Sequence, residues 1–348
     1  MTRPTFRRAL LAAVIGAATA APAGAQEPVL NLYSARHYQT DEAMYAGFTK
    51  LTGIRINRIE AGDEALLERL RSEGANSPAD VILLVDAARL WKAQIEGMFQ
   101  PVASPALRTR IPATLRSKDD GQGSDWFGIS TRARVIVYNK AKVDPALAQT
   151  YEDLARPELK GKVCTRSGAH PYMLSLIGAM SEHLGEAKAA QWASGVVANF
   201  ARQPRGGDTD QIHAVASGEC GVALTNTYYL VRLMRSDKPA DKATVARIGV
   251  VWPNQNSFGT HVNVSGGGVA KNAPHRDNAV RFLEYLASES AQAYLADGNN
   301  EWPVVAGVRL RNPELESLGK FKADALPIAS IGRSQVTASR IIDRAGWR

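Results

Sequence analysis

Hydrophobic and polar positions along this chain alternate between the period of a strand and the period of a helix. Residues 28–34 form a short apolar strand, and Ala35, Arg36, His37, Tyr38 and Gln39 follow as a turn. Thr40 is expected as an N-cap with Asp41 and Glu42 in the first turn. Met44, Tyr45, Phe48 and Leu51 then recur at helical spacing until Gly53 ends the helix. A strand over 54–59, a helix over 63–73, a continuous apolar strand over 79–85 and a helix over 87–96 complete three βα units. That alternation predicts a parallel sheet, and the unbroken apolar run predicts a strand covered on both faces.

After Trp126, Phe127 and Gly128 the pattern changes. A strong strand over 133–139 reads as entry into a second lobe. Strands at 161–166 and 246–252 and helices at 172–183, 186–199 and 209–218 follow. Between them, the segment from Cys220 reads as a buried strand that ends on Tyr228 and Tyr229 and hands over to a helix at Leu230. Residues 261–270 look like a return strand with a glycine turn at Gly266, Gly267 and Gly268, and 276–288 is an amphipathic helix. The three glycines lack the flanking residues of a phosphate loop, which argues against a nucleotide site.

The first 25 residues stand apart from this pattern. Arg3, Arg7 and Arg8 precede a short apolar run, and Ala23, Gly24 and Ala25 make a small-residue cleavage site. This is the layout of a secretory signal, with a mature chain from near Gln26. The general secretory route is expected, and Arg7-Arg8 leaves the twin-arginine route open. The formal charge of +8 is scattered, without the basic blocks of a nucleic-acid tail. Two cysteines, Cys164 and Cys220, in an exported chain favour a disulfide over separate buried thiols.

Catalytic signatures are missing. None of the 6 histidines falls in HExxH, and no GxSxG elbow occurs. Tyrosine supplies the more telling pattern. His37-Tyr38, Tyr172 and Tyr228-Tyr229 all fall where a strand gives way to a helix, the place where open α/β sheets bind ligands. Four phenol oxygens and one imidazole suit a hard, highly charged ion. Phenol ionises near pH 10, so it ligates at neutral pH only where the cation displaces its proton, and ferric iron is charged enough to do so. Calcium and magnesium prefer carboxylates and water, and zinc prefers His, Cys or carboxylate. Amphipathic tyrosines at a lobe interface remain the alternative for each position. Tyr151 is expected to be a decoy, and Tyr33, Tyr138 and Tyr285 core residues.

The segments Leu32–Tyr38, Ser77–Val81, Gly161–Gly168 and above all Asn226–Leu230 resemble the ferric-iron-binding periplasmic proteins that feed ABC importers, of the tyrosine-rich cyanobacterial type. The resemblance runs over nearly the whole mature chain. It implies an α/β, type II periplasmic-binding-protein fold: two lobes, each a mixed sheet flanked by helices, joined by a hinge. The first lobe is expected over 26–129 and 259–310, the second over 130–258 and 311–348. It implies Fe(3+) as bound ligand, with Tyr38, Tyr172, Tyr228 and Tyr229 as ligands and His37 a fifth in some members. Arg36 and Arg132 are expected to offset the phenolate charge, and other arginines, Arg166 among them, to be solvated. His170 is placed at the cleft rim. The expected partner is an ABC permease and ATPase complex at the inner membrane, the expected state a periplasmic monomer with no enzymatic activity and no nucleic acid. Two other readings stay open: a protein of the same fold binding a polyamine, thiamine-like compound or phosphonate, and an exported hydrolase using the cleft.

Overall fold

The computed structural model describes residue 1, residues 28–36 and residues 38–348. Apart from Met1, the expected export signal lies outside the described residues, and so does His37. Three parallel strands, β1 (Val29–Ser34), β2 (Arg55–Glu60) and β3 (Val81–Val85), alternate with α1 (Asp41–Thr52), α2 (Asp63–Glu73) and α3 (Ala87–Ile95). Leu30, Leu32 and residues 81–84 are fully buried because helices cover both faces of this sheet. After β4 (Phe99–Gln100) and α4 (Pro105–Arg110), the chain enters β5 (Phe127–Asn139), the longest strand described.

The second lobe holds β6 (Val163–Cys164), α5 (Pro171–Leu184), α6 (Glu186–Ala198), α7 (Asp208–Ser217), β7 (Val222–Asn226), α8 (Thr227–Met234), α9 (Pro239–Arg247) and β8 (Ile248–Val251). The chain returns through β9 (Val262–Ala270) to α10 (Arg276–Leu286), α11 (Glu289–Asn299) and β10 (Trp302–Pro303), and closes with α12 (Pro313–Ser317), α13 (Ile328–Arg333) and α14 (Gln335–Ala345). The strand order is β2-β1-β3-β9-β5-β7-β6. β5 joins the halves: residues 127–133 pair antiparallel with β9, and residues 134–139 pair with β7 and β8. Separate apolar cores form around Phe48, Leu83 and Phe282 in one lobe and Leu176, Trp192 and Leu224 in the other. Helix α13 packs on both α3 and α5, and Ala179 of α5 reaches the first lobe's core. Among the described residues no helix is long and apolar enough to cross a membrane.

Three local expectations are corrected. Thr40 does not cap α1: its backbone is already helical, and its hydroxyl lies against Asn299 of α11 instead. Gly266–Gly268 make no turn. They lie inside β9, sandwiched between β3 and β5, where a Cβ on Gly266 would come 2.7 Å from the Phe127 carbonyl oxygen and Cβ atoms on Gly267 and Gly268 would strike Ile82 and Asp125. Helix α8 starts at Thr227 rather than Leu230, so Tyr228 and Tyr229 occupy its first turn. The strand stops there because Asp208 takes the Asn226 N–H at 2.7 Å and the Thr227 hydroxyl turns to the Ala133 N–H. Cys164, the last residue of β6, and Cys220, two residues ahead of β7, form a disulfide with Cα atoms 5.9 Å apart.

Candidate metal centre

The cleft between the lobes collects the tyrosines. A cavity of about 310 Å³ is lined by Tyr38, Asp63 and Val85 from the first lobe and by His170, Tyr172, Tyr229 and Arg232 from the second. Tyr172 stands on the first turn of α5, where Pro171 fits the fixed φ of a helix start. The ring of His170 takes the Tyr172 backbone N–H at 3.2 Å through Nδ1, so His170 caps α5 as well as lining the cleft. The Tyr172 and Tyr228 hydroxyls are 2.9 Å apart. Tyr228 and Tyr229 lie with ring centroids 4.2 Å apart. Tyr228 is buried, whereas Tyr38, Tyr172 and Tyr229 are half-buried. The structure thus brings all four predicted tyrosines to one cleft. Among the described residues no three His, Cys, Asp or Glu side chains gather as a metal site.

Guanidinium groups lie under these rings. Arg36, fully buried, is 5.1 Å from the Tyr38 ring centroid, and Arg132, Arg134 and Arg166 are 5.8, 5.9 and 5.0 Å from that of Tyr172. Arg36 binds Asp41 with two nitrogens, at 2.9 and 3.1 Å, and Glu301 with a third at 3.1 Å. Burial alone would lower its pKa, but Asp41 and Glu301 hold it well above the ordinary value. Arg134 and Arg166 share one carboxylate, Asp208, at 3.0 and 3.1 Å. Arg132 donates through Nη1 to Ser265 at 3.1 Å, while its buried Nε and Nη2 have no hydrogen-bond partner. A buried guanidinium with spare donors beside phenols is a standing counter-charge for an anionic site.

Burial pushes the phenols of Tyr38, Tyr172 and Tyr228 upward. Glu301 adds to the shift at Tyr38, neighbouring phenols add to it at Tyr172 and Tyr228, and Arg132 opposes it at all three. The metal-free site therefore holds these tyrosines as neutral phenols. His170 is lowered to about 3 by burial and then by Arg166 and Arg134, so its imidazole is neutral.

Other expectations are revised. Arg166 is not a solvated charge: it is half-buried and paired to Asp208, the fully buried first residue of α7, which draws it in. Arg134 was not foreseen, although a lone charge in the apolar strand 133–139 marked it. Asp63, at the first turn of α2, lines the cavity and accepts the Val85 N–H at 2.9 Å; its position after a strand was its signal. Glu301 and Asp208 had no local signal. Tyr151 is a structural cross-link, donating to the Arg134 carbonyl at 2.6 Å and accepting the His261 N–H at 3.0 Å. Tyr33 and Tyr285 are likewise spent on Glu73 and the Met44 carbonyl.

A family model described as bacterial extracellular solute-binding protein matches residues 43–323. Iron uptake protein A1 of Synechocystis sp. is 51% identical over 93% of this chain and 88% of its own. The structure of Trichodesmium IdiA (FutA) in complex with iron and citrate ligands aligns with TM-score 0.87 at 51% identity, over 92% of this chain and 100% of that one. The ferric binding protein from Campylobacter jejuni aligns with TM-score 0.85 at 39% identity, over 92% and 100% of the two chains.

Proposed function

The chain belongs to the bacterial extracellular solute-binding proteins, and from that premise we propose that it captures ferric iron between its lobes and delivers it to an ABC importer. It works in the periplasm as a transport protein whose cargo is Fe(III). The proposed ligands are Tyr38 and His37 from the first lobe and Tyr172, Tyr228 and Tyr229 from the second. The observation that carries the reading is the 2.9 Å approach of the Tyr172 and Tyr228 hydroxyls, with Tyr229 against Tyr228 and Tyr38 facing them across one cavity. Aromatic side chains that only packed would have no reason to bring the Tyr172 and Tyr228 hydroxyls together in a cleft beside buried guanidinium groups.

The chemistry follows from those neutral phenols. Ferric iron binds as the phenols lose their protons, and four phenolates would leave the site one negative charge in excess. Arg132 offsets that charge with its unpartnered nitrogens. Ligands from two lobes favour the closed cleft over the open one, with β5 and β9 as the crossing strands. Release needs reopening, protonation of the phenolates, or reduction to Fe(II), which binds hard anions less well. We further propose the lobe boundaries given above, export through the cleaved N-terminal segment, a monomeric state, and a permease and ATPase complex at the inner membrane as receiver.

The test is optical. Ferric citrate added to metal-free mature protein should produce a phenolate-to-iron charge-transfer band in the visible. The pair Tyr228→Phe plus Tyr229→Phe should lose most of it. A colourless product, or a band unchanged by the double substitution, would overturn the reading.

A further inference from the structure

Asp86 ends β3 and opens α3 in a backbone conformation, φ 142° and ψ 146°, that only glycine adopts freely. The other non-glycine residues with positive φ among those described, Asn254 and Asn300, sit at 59° and 61°, the left-handed region that asparagine tolerates. Something must hold Asp86 where it is. Its carboxylate is fully buried and takes three donors from three elements. The Ala88 N–H of α3 lies at 2.8 Å, the Asn263 amide of β9 at 2.9 Å and the Ser175 hydroxyl of α5 at 2.6 Å.

The third donor comes from the other lobe. Ser175 is fully buried and follows Tyr172 by three residues, so it lies one turn along nearly the same face of α5. The second donor leads to the hinge: Asn263 stands directly opposite Arg132 in the β5–β9 ladder, and Arg132 in turn binds Ser265 of β9. Burial pushes the Asp86 carboxyl up to about 6, although Arg132, Ser175 and Ala88 all favour its charged form. A costly backbone and a costly buried carboxylate thus meet at the point where both lobes and the crossing strands touch.

We propose that the Asp86–Ser175 hydrogen bond is the latch of the closed cleft, a positioning contact that holds the first turn of α5, and with it Tyr172, against the first lobe. This rests on the reading of Tyr172 as an iron ligand. The latch touches no metal. Its loss therefore changes how long the cleft stays shut, not which atoms bind inside.

The experiment compares the mature parent chain with Ser175→Ala, Asp86→Ala and the double variant, after loading with ferric citrate and challenge with an excess of a competing chelator. Ser175→Ala should release iron between about tenfold and a hundredfold faster, the weight of a hydrogen bond to a charged group, with its visible band at saturation unchanged. The double variant should release no faster than Asp86→Ala alone, because both substitutions break one contact. Ser181→Ala makes the same exchange on α5 where the hydroxyl donates to the Gly178 carbonyl, and should leave the rate alone. Unchanged release in Ser175→Ala, additive effects in the double variant, or a shifted band would overturn the latch. Amide hydrogen exchange of the metal-free chains reads the contact without iron: segments 87–95 and 171–184 should exchange faster in Ser175→Ala. Equal exchange there sinks the latch even if the parent binds iron. A colourless parent sinks the iron reading while this second comparison still decides the latch.

Discussion

The two halves of the cleft stand on opposite electrical foundations. Beneath Tyr38 a single guanidinium, Arg36, faces two buried carboxylates, Asp41 and Glu301. Beneath Tyr172 two guanidiniums, Arg134 and Arg166, face the one carboxylate of Asp208. The lobe that presents three tyrosines has cationic charge to spare, and the lobe that presents one described tyrosine has none. The second lobe also has its phenols assembled already, two of them within hydrogen-bond distance. Preorganisation and counter-charge sit on the same side. On the proposed reading, the second lobe receives the ion and the first closes over it.

The largest test of that asymmetry is pH. The Tyr172 and Tyr228 phenols are held above their ordinary value, so iron must expel their protons, and affinity falls as pH falls. Each expelled proton contributes about one power of ten per pH unit. Competition against a chelator across the neutral range should give a steep slope, and Tyr228→Phe should flatten it by about one power of ten per unit. An unchanged slope would mean that Tyr228 never gives up its proton.

Next in size is the foundation itself. Asp208→Ala takes the carboxylate from the buried Arg134 and the half-buried Arg166 and frees the Asn226 N–H, and should cost about 3–5 kcal/mol in denaturant unfolding. Asp41→Ala should cost less, because Arg36 keeps Glu301. Equal losses would erase the distinction between the lobes.

The smallest effect concerns His170. His170→Ala removes the cap of α5 and should cost about 1 kcal/mol. The folded protein holds this ring neutral down to about pH 3, so the unfolded chain takes up the proton first as pH drops below the ordinary histidine value. That contribution to stability is present above this range and lost on acidification. His170→Asn, which keeps a capping oxygen, should retain most of the stability and flatten this acid limb.

Much of the site was legible because tyrosines at the ends of strands carry a positional signal. Tyr38, Tyr172, Tyr228 and Tyr229 each follow a strand and open a turn or helix, and strand ends in such sheets share one crevice. The supporting charges were legible only in part. Arg134 broke the apolar pattern of its own strand, but Glu301 reaches Arg36 from 265 residues away, and no local pattern announces such a pairing. The glycine run misled for a related reason: the demand for glycine at Gly266–Gly268 comes from the flanking strands β3 and β5, not from a bend in β9. Asp86 was invisible, since its sequence position gives no hint of a positive φ.

β5 is shared between the lobes along its length, and this governs how the protein can be divided. A fragment ending at Asn139 lacks β9, so β3 and the first half of β5 would face open space with unpaired amides and carbonyls. A fragment starting there loses the strand on which β7 and β8 are hung. Neither half is a portable module. Engineering that seeks to swap cargo between relatives must exchange cleft side chains in place rather than transplant a lobe.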